Sequence, residues 1–450
     1  MSSSGCSGFT RSEMIRRGLA APGAGLPSIE PGMPLPAGTG LSRRSLMLRG
    51  AGLALAVYGA DKLVPGAFEE GIAEAAAAPD APVLISIFMS GGADGLNILA
   101  PTEGAAYQRL RPNIRLSSAS TLAVAGSDEV RWHPAMAGIK ALHDAGKVVV
   151  APAIGYDSPN QSHFTSRHFW EVGKLDTNGA TGWLGRYLDA YGQVNNPIQG
   201  LSLDGTLSPT LATANVAVAA TSSPTSYTFD SPGVWNAGVK DGMLGAFGAL
   251  GSAPAHDPIM AQARQAQANA AGLRSQLAQT PKTGGGAYPN TGFAKKLQNV
   301  ARMLRVGLPM RCVTLGAPGG YDTHSNQAGS LQTGLQQTSD GIAAFQADLE
   351  ASGLADRVLI HLWSEFGRRP QENDLGTDHG AAGVSFVIGS RANGGFLGEH
   401  PGLTSLDAQG NLRNTSDFRD LYRALLEQWL GADSAAIIPG RSGAVPVLVR

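Results

Sequence analysis

The residues best suited to chemistry in this chain are carboxylates, imidazoles and one serine gathered in short polar motifs. Asp322 and His324 form an Asp-x-His pair within Gly319-Gly320-Tyr321-Asp322-Thr323-His324, and Asp378 and His379 are adjacent in Gly376-Thr377-Asp378-His379-Gly380. An Asp-x-His pair on a loop can chelate one cation, and an adjacent Asp-His pair can serve two. Asp94, in Ser90-Gly91-Gly92-Ala93-Asp94-Gly95, and Glu365, in Ser364-Glu365-Phe366-Gly367-Arg368, add two more carboxylates. Mixed carboxylate and imidazole donors suit one or two divalent ions, zinc first, with manganese, iron or calcium as alternatives. The glycines let the backbone turn so that side chains from different loops face one ion. Taken singly, each motif is as readily a structural turn. Together, each just after a predicted strand, they point to a site.

A further element is Pro159-Asn160-Gln161-Ser162-His163-Phe164-Thr165-Ser166-Arg167. Ser162 opens a predicted helix, where a serine either caps free backbone N–H groups or offers its hydroxyl beside an anion held by them. A serine hydroxyl on a cation is a competent nucleophile, because the cation lowers its pKa. His163 is a candidate metal ligand, and Arg167 a candidate contact for a substrate oxyanion. Other templates fail. Phe88 stands where a Gly-x-Ser-x-Gly elbow needs its first glycine, and no Gly-x-x-x-x-Gly-Lys-Ser/Thr phosphate cradle occurs. His361 and Cys312 lie in apolar segments and read as core residues.

The elements that must hold these groups follow from periodicity. The run Pro82-Val83-Leu84-Ile85-Ser86-Ile87-Phe88-Met89 reads as a strand buried on both faces. Strands are predicted at 147–153, 309–317, 357–363 and 384–388, and helices at 136–145, 163–172, 329–352 and 416–430. Alternating short apolar strands and helices imply an α/β fold with a mainly parallel, doubly wound sheet sandwiched by helices. Ligands then belong outside the carboxyl ends of the strands. From about 201 to 290 the texture becomes rich in Ser, Thr and Gly and then helical, which reads as an insertion on that sheet.

Composition narrows the class. Of 450 residues, 43% are hydrophobic and 15% charged, with 60 Gly and 27 Pro, which excludes a coiled coil or a charge-rich disordered chain. The net charge of −1 gives no basic surplus for nucleic acid. Residues 1–78 read as a leader. Ser42-Arg43-Arg44-Ser45-Leu46-Met47, followed by the weakly apolar run from Ala51 to Tyr58, has the form of a twin-arginine export signal, with small residues at 75–78 for cleavage. That run is far short of the ~20 residues of a spanning helix, so no stable span is expected in the mature chain, 79–450. The expected partners are the twin-arginine machinery and an ester substrate, small or polymeric, in the periplasm, envelope or medium. Of two cysteines, Cys6 falls in the leader, so no internal disulfide is expected after export.

As a set, Ser-Gly-Gly-Ala-Asp-Gly at 90–95, Gln-Ser-His-Phe at 161–164, Gly-Gly-Tyr-Asp-Thr-His at 319–324, Ser-Glu-Phe-Gly-Arg at 364–368 and Thr-Asp-His-Gly at 377–380 resemble a family of exported bacterial proteins, domain of unknown function 1501, grouped with the alkaline phosphatase and sulfatase superfamily. The resemblance implies an alkaline phosphatase-like fold with two cations bridging a nucleophile. It implies Asp94 as the ligand after the first strand and Ser162 as nucleophile. Asp322 and His324 then resemble one metal's ligands, and Asp378 and His379 the late histidine motif. Glu365 stands where those enzymes have the Asp of a Ser-Asp-His-Gly turn, with Phe366 replacing its His. That replacement weakens a second metal site, and the sulfatase Cys-x-Pro-Ser-Arg signature is absent.

The reading is therefore an exported metal-dependent hydrolase of phosphate or sulfate esters using Ser162. Its rivals are a non-catalytic cell-envelope binding protein that keeps the fold, and a metal hydrolase of a different bond.

Overall fold

The computed structural model describes residues 55–58, 81–193, 196–224, 236–255 and 257–450. Arg43, Arg44, Cys6 and the stretch 75–78 lie outside the described residues.

A 10-stranded sheet organises the chain. Its strands are β1 (Leu55–Tyr58), β2 (Val83–Phe88), β3 (Val148–Gly155), β4 (Gly200–Ser202), β5 (Val218–Thr221), β6 (Cys312–Gly316) and β7 (Val358–Trp363). After a separate hairpin of β8 (Arg368–Asn373) and β9 (Gly376–His379) come β10 (Gly383–Ile388), β11 (Gly395–Phe396) and β12 (Ser416–Asp417). The order across the sheet is β1-β5-β4-β6-β2-β7-β10-β3-β11, with β12 also on β3. The run from β5 to β7 is parallel throughout, while β1 and β10 pair antiparallel with their neighbours.

Alternation along β2 explains the two helical layers. Val83, Ile85 and Ile87 enter one core with Ile139 of α1 (Ala137–Asp144), Leu297 of α6 (Gly292–Arg305) and Ile342 and Phe345 of α7 (Gln327–Ala351). Leu84 enters the other with Trp170 of α2 (His163–Val172), Trp183 of α3 (Trp183–Tyr191) and Tyr422 of α8 (Phe418–Ala424). A strand covered on both faces must be apolar at successive positions, which is why the run shows no polar alternation. The expected mainly parallel sheet between helices is what the chain forms.

Register matters for the site. Phe88 lies level with Gly316 on one side and Trp363 on the other. The loops leaving β6, β2 and β7 therefore start side by side at one edge.

Several elements differ from the sequence reading. Residues 200–202 and 218–221, counted there as insertion, are strands of the main sheet. They are too short, or too rich in alanine, to show as apolar runs. Among the described residues of that region, two helices follow these strands, α4 (Ala237–Gly251) and α5 (Pro258–Ala278). Four residues of the segment read as leader, Leu55–Tyr58, pair with β5. The Thr-Asp-His-Gly motif lies on β9 of the hairpin, not on an open loop. Leu99–Ala100, Leu122–Val124 and Ser127–Trp132 form a small antiparallel sheet that sequence pattern did not indicate. Among the described residues, no helix is long and apolar enough to cross a membrane.

Candidate metal centre

The three loops beginning level with one another carry the centre. After β2, Gly91 and Gly92 adopt φ of +120° and +73°. A Cβ on Gly91 would meet the Asp322 backbone nitrogen at 2.3 Å, so only glycine lets the loop after β2 lie against the loop after β6. Those two N–H groups point at Glu365, the second residue past β7. Glu365 accepts from Gly91 N at 2.9 Å and Gly92 N at 3.1 Å, and from Ser364 Oγ at 3.0 Å. Burial raises the pKa of this fully enclosed carboxyl, but the His163 hydrogen bond and the backbone N–H groups outweigh it. The net shift is downward, so Glu365 is an anion.

Glu365 in turn fixes His163, the first residue of α2. His163 Nδ1 donates to Glu365 Oε1 at 2.8 Å, which leaves Nε2 as a lone pair. That nitrogen stands 3.5 Å from Asp322 Oδ1. His379, at the end of β9, is oriented the same way. Its Nδ1 donates to the Gln161 carbonyl at 2.8 Å, and its Nε2 lies 3.3 Å from Asp322 Oδ1. His324 repeats the pattern, with Nδ1 donating to Asp378 Oδ1 at 3.2 Å and Nε2 3.0 Å from Asp322 Oδ1. Three imidazoles, each held through Nδ1 by an oxygen, thus turn Nε2 toward one carboxylate oxygen.

Nε2 lone pairs and an anionic oxygen facing one another form a donor set that a cation would hold together. The ligand atoms of His163, Asp322 and His379 all lie within 4.8 Å of one another, close enough to share one ion. Ligand imidazoles characteristically donate their other N–H to a carboxylate or carbonyl, as these do. The donor set and its outer hydrogen bonds therefore fit a divalent transition metal, and His324 borders the same oxygen. Desolvation would raise the Asp322 pKa, yet the imidazoles of His163, His324 and His379, wherever one carries a proton on Nε2, and the Arg368 charge hold it far below the usual carboxylate range.

Arg368 opens β8 and is buried. Its Nε donates to Gly92 O at 2.8 Å and its Nη1 to Thr377 O at 2.7 Å. Its Nη2 donates to Gly91 O, to Tyr321 O at 3.1 Å and to Asp322 Oδ1 at 2.6 Å. One guanidinium thus ties together the loops after β2 and β6 and strand β9. Phe366, also buried, packs its ring 4.9 Å from those of both His163 and His379.

The sequence-derived candidates divide. His163, Asp322, His324 and His379 meet directly, with Glu365 and Asp378 as their orienting partners. Asp94, expected as a metal ligand, is instead buried in a two-pronged ion pair with Arg111, at 2.6 and 2.9 Å, and caps the helical turn Gly95–Ile98 through Leu96 N. Asp378 is exposed and reaches the cluster only through His324, being also bonded by Asn373. Ser162 is the N-cap residue of α2, half-buried, and its hydroxyl makes no capping hydrogen bond. Arg167 pairs with Glu171 at 2.8 Å and lies over the Phe88 ring at 4.7 Å, at the edge where β2 ends. His361 is in the core, as read from the sequence.

Sequence reasoning gave no role to Arg111, Arg368 or the Gln161 carbonyl. Arg368 stood inside a singled-out motif, and an arginine two residues past Phe366 was the available sign. Arg111, on an ordinary polar stretch, offered none.

The sequence profile described as "Protein of unknown function (DUF1501)" matches residues 81–444. No curated protein matches the chain. Among solved structures, it is similar to Ps i-CgsB in complex with k-i-k-neocarrahexaose, at 10% identity and a TM-score of 0.32, covering 81% of this chain and 73% of that one. The lipoteichoic acid synthase LtaP from Listeria monocytogenes aligns at 9% identity and 0.28, covering 86% and 77%. The phosphonate monoester hydrolase of Agrobacterium radiobacter aligns at 12% and 0.33, covering 81% and 79%. These likenesses are remote.

Proposed function

This chain belongs to the DUF1501 family, and we propose that it is a metal-dependent hydrolase of phosphate or sulfate esters, exported by the twin-arginine route. The observation that carries the reading is the convergence of the Nε2 atoms of His163, His324 and His379 on Asp322 Oδ1. His163, Asp322 and His379 would hold the cation, with His324 beside them, and zinc is the first choice for that donor set. When bound, such an ion polarises an ester oxygen and acidifies a hydroxyl next to it.

The chain's own groups supply the rest. Ser162 precedes His163 at the start of α2, and its hydroxyl is the proposed nucleophile. It attacks the phosphorus or sulfur, the bond to the leaving alcohol breaks, and the serine proton ends on that alcohol. Water then hydrolyses the seryl ester. Arg167, at the sheet edge by Phe88, is the proposed contact for the substrate's charged oxygens. Glu365, the Gln161 carbonyl and Asp378 keep the three imidazoles turned.

The test is hydrolysis of aryl phosphate and aryl sulfate panels by metal-loaded wild type and Ser162→Ala. A loss far above ~100-fold is expected, since removing a nucleophilic serine can cost on the order of 10⁶ in kcat. Equal turnover would exclude Ser162 from the chemistry. One observation favours a second reading, a binding protein without turnover: the Phe366 ring packs against two of the imidazoles. No turnover by metal-loaded wild type on either panel, with retained affinity for a cell-wall polymer, would favour it.

A further inference from the structure

The charges around the centre are not those of an open pair of cation sites. Four carboxylates bear on it: Asp322 and Glu365 against its imidazoles, Asp378 on His324, and Asp94 held apart by Arg111. Two guanidiniums are built in among them, Arg111 and Arg368, both with side chains inaccessible to solvent. Every oxygen of Asp94 is engaged. Oδ1 accepts from Arg111 Nη2 and Leu96 N, and Oδ2 from Arg111 Nη1 and Gln327 Nε2. Asp322 shares Oδ1 between the imidazoles and Arg368, whose Nη1 also donates to His324 Nε2 at 3.3 Å. Glu365 gives its oxygens to Gly91, Gly92, Ser364 and His163.

We infer that the centre takes one divalent cation, with Arg368 standing permanently where a second positive charge would be needed. This rests on the metal-dependent reading above and limits it. The Asp94–Arg111 and Asp322–Arg368 pairs cancel, and Glu365 with the exposed Asp378 leaves two negative charges for an incoming ion. A single divalent cation balances them, and a second would enter uncompensated, at short range from Arg368 and the first ion. Among the described residues, the ligand atoms within reach of one ion all gather on Asp322: those of His163 and His379, with His324 Nε2 at 3.0 Å on the same oxygen. Phe366 packs against two of those imidazoles and offers no donor atom. Arg368 is also better than an ion for holding the loops. Its planar fork bonds the carbonyls of Gly91, Gly92, Tyr321 and Thr377 together, which a spherical ion at the carboxylate would not do.

The experiment uses the full chain, stripped of metal and titrated with zinc by calorimetry, with bound metal counted by mass spectrometry. Saturation at about one equivalent is expected. Loaded with manganese, the protein should give the six-line resonance of an isolated ion. Two equivalents, or an exchange-coupled manganese spectrum, would overturn the inference while leaving the metal-dependent reading intact. No tight binding at all would overturn that reading, and this one with it. Asp94→Asn should keep the count at one. Loss of the metal from a variant whose circular dichroism is native would make Asp94 a ligand and overturn the assignment. If that variant fails to fold, the wild-type count and resonance still decide.

Discussion

His163 and Glu365 are 202 positions apart in sequence and 2.8 Å apart in space, ring nitrogen to carboxylate oxygen. The contact joins the start of α2 to the end of β7 and decides which nitrogen of His163 faces Asp322. Because Glu365 can only accept, the ring proton is held on Nδ1. Turning the lone pair outward is thus a property of the fold, present before any ligand arrives.

Replacing Glu365 by Gln tests that role. The amide presents a donor as well as an acceptor to Gly91 N, Gly92 N and His163, and removes the buried anion. Loss of an outer-shell partner of this kind typically weakens metal binding about 10–100-fold. Competition against a zinc chelator measures it, and unchanged affinity would show that His163 is not held for a metal.

Removing the metal should be visible in stability. An ion present at about 100 times its dissociation constant contributes ~2.7 kcal/mol. Chelation should therefore lower the Tm of wild type by on the order of a few degrees, and zinc should restore it. His379→Ala should melt at one temperature with or without chelator. A wild-type Tm that ignores both chelator and zinc would argue against the centre.

Arg111 and Asp94 are both shut off from solvent. Breaking a buried pair from one side strands the remaining charge, which typically costs about 3–5 kcal/mol. Arg111→Met should move the urea midpoint down accordingly. A change within about 0.5 kcal/mol, the usual range for surface substitutions, would mean that Asp94 finds other partners.

His361 makes a prediction about pH. It is fully buried, its Nε2 donates to Ser385 Oγ at 3.0 Å, and burial pushes its pKa from 6.5 down to about 3. Between those values the unfolded chain carries the proton and the folded chain does not. Stability from this group is therefore complete above about 6.5 and falls as pH drops toward 3, with a limiting slope of about 1.4 kcal/mol per pH unit. His133, lowered to about 4 by burial, acts in the same direction. Urea midpoints from pH 7 to 4 should decline, and His361→Gln should decline less steeply. A parallel decline would mean that His361 does not contribute.

Much of this arrangement was legible before the fold was known. The continuous apolar run at β2 announced a two-sided strand, and helix 163–172 was readable from its periodicity. Asp322, His324, His379 and Glu365 stood out because polar residues followed apolar runs. What could not be read were long-range electrostatic assignments. Asp94 looks like a ligand by position, yet Arg111, 17 residues on, claims it through a bend that no local pattern encodes. Likewise Gly200–Ser202 is too short to register as a strand and becomes one only by lying between β5 and β6. The orientation of β10 was also open, since an isolated apolar run has no direction.

The six groups that receive Arg368's hydrogen bonds, the carbonyls of Gly91, Gly92, Tyr321 and Thr377, the Asp322 carboxylate and the His324 ring, come from three stretches of chain. Such a junction makes assembly collective. No one of these stretches can settle into its final shape while the others are loose, because each would leave a donor of the same rigid fork without an acceptor in the interior. Amide hydrogen exchange in the loop after β2, the loop after β6 and the hairpin should accordingly rise and fall together as one cooperative unit. The rigidity a reaction centre needs is then obtained during folding, as a shared event among segments of which one lies more than two hundred residues from the others.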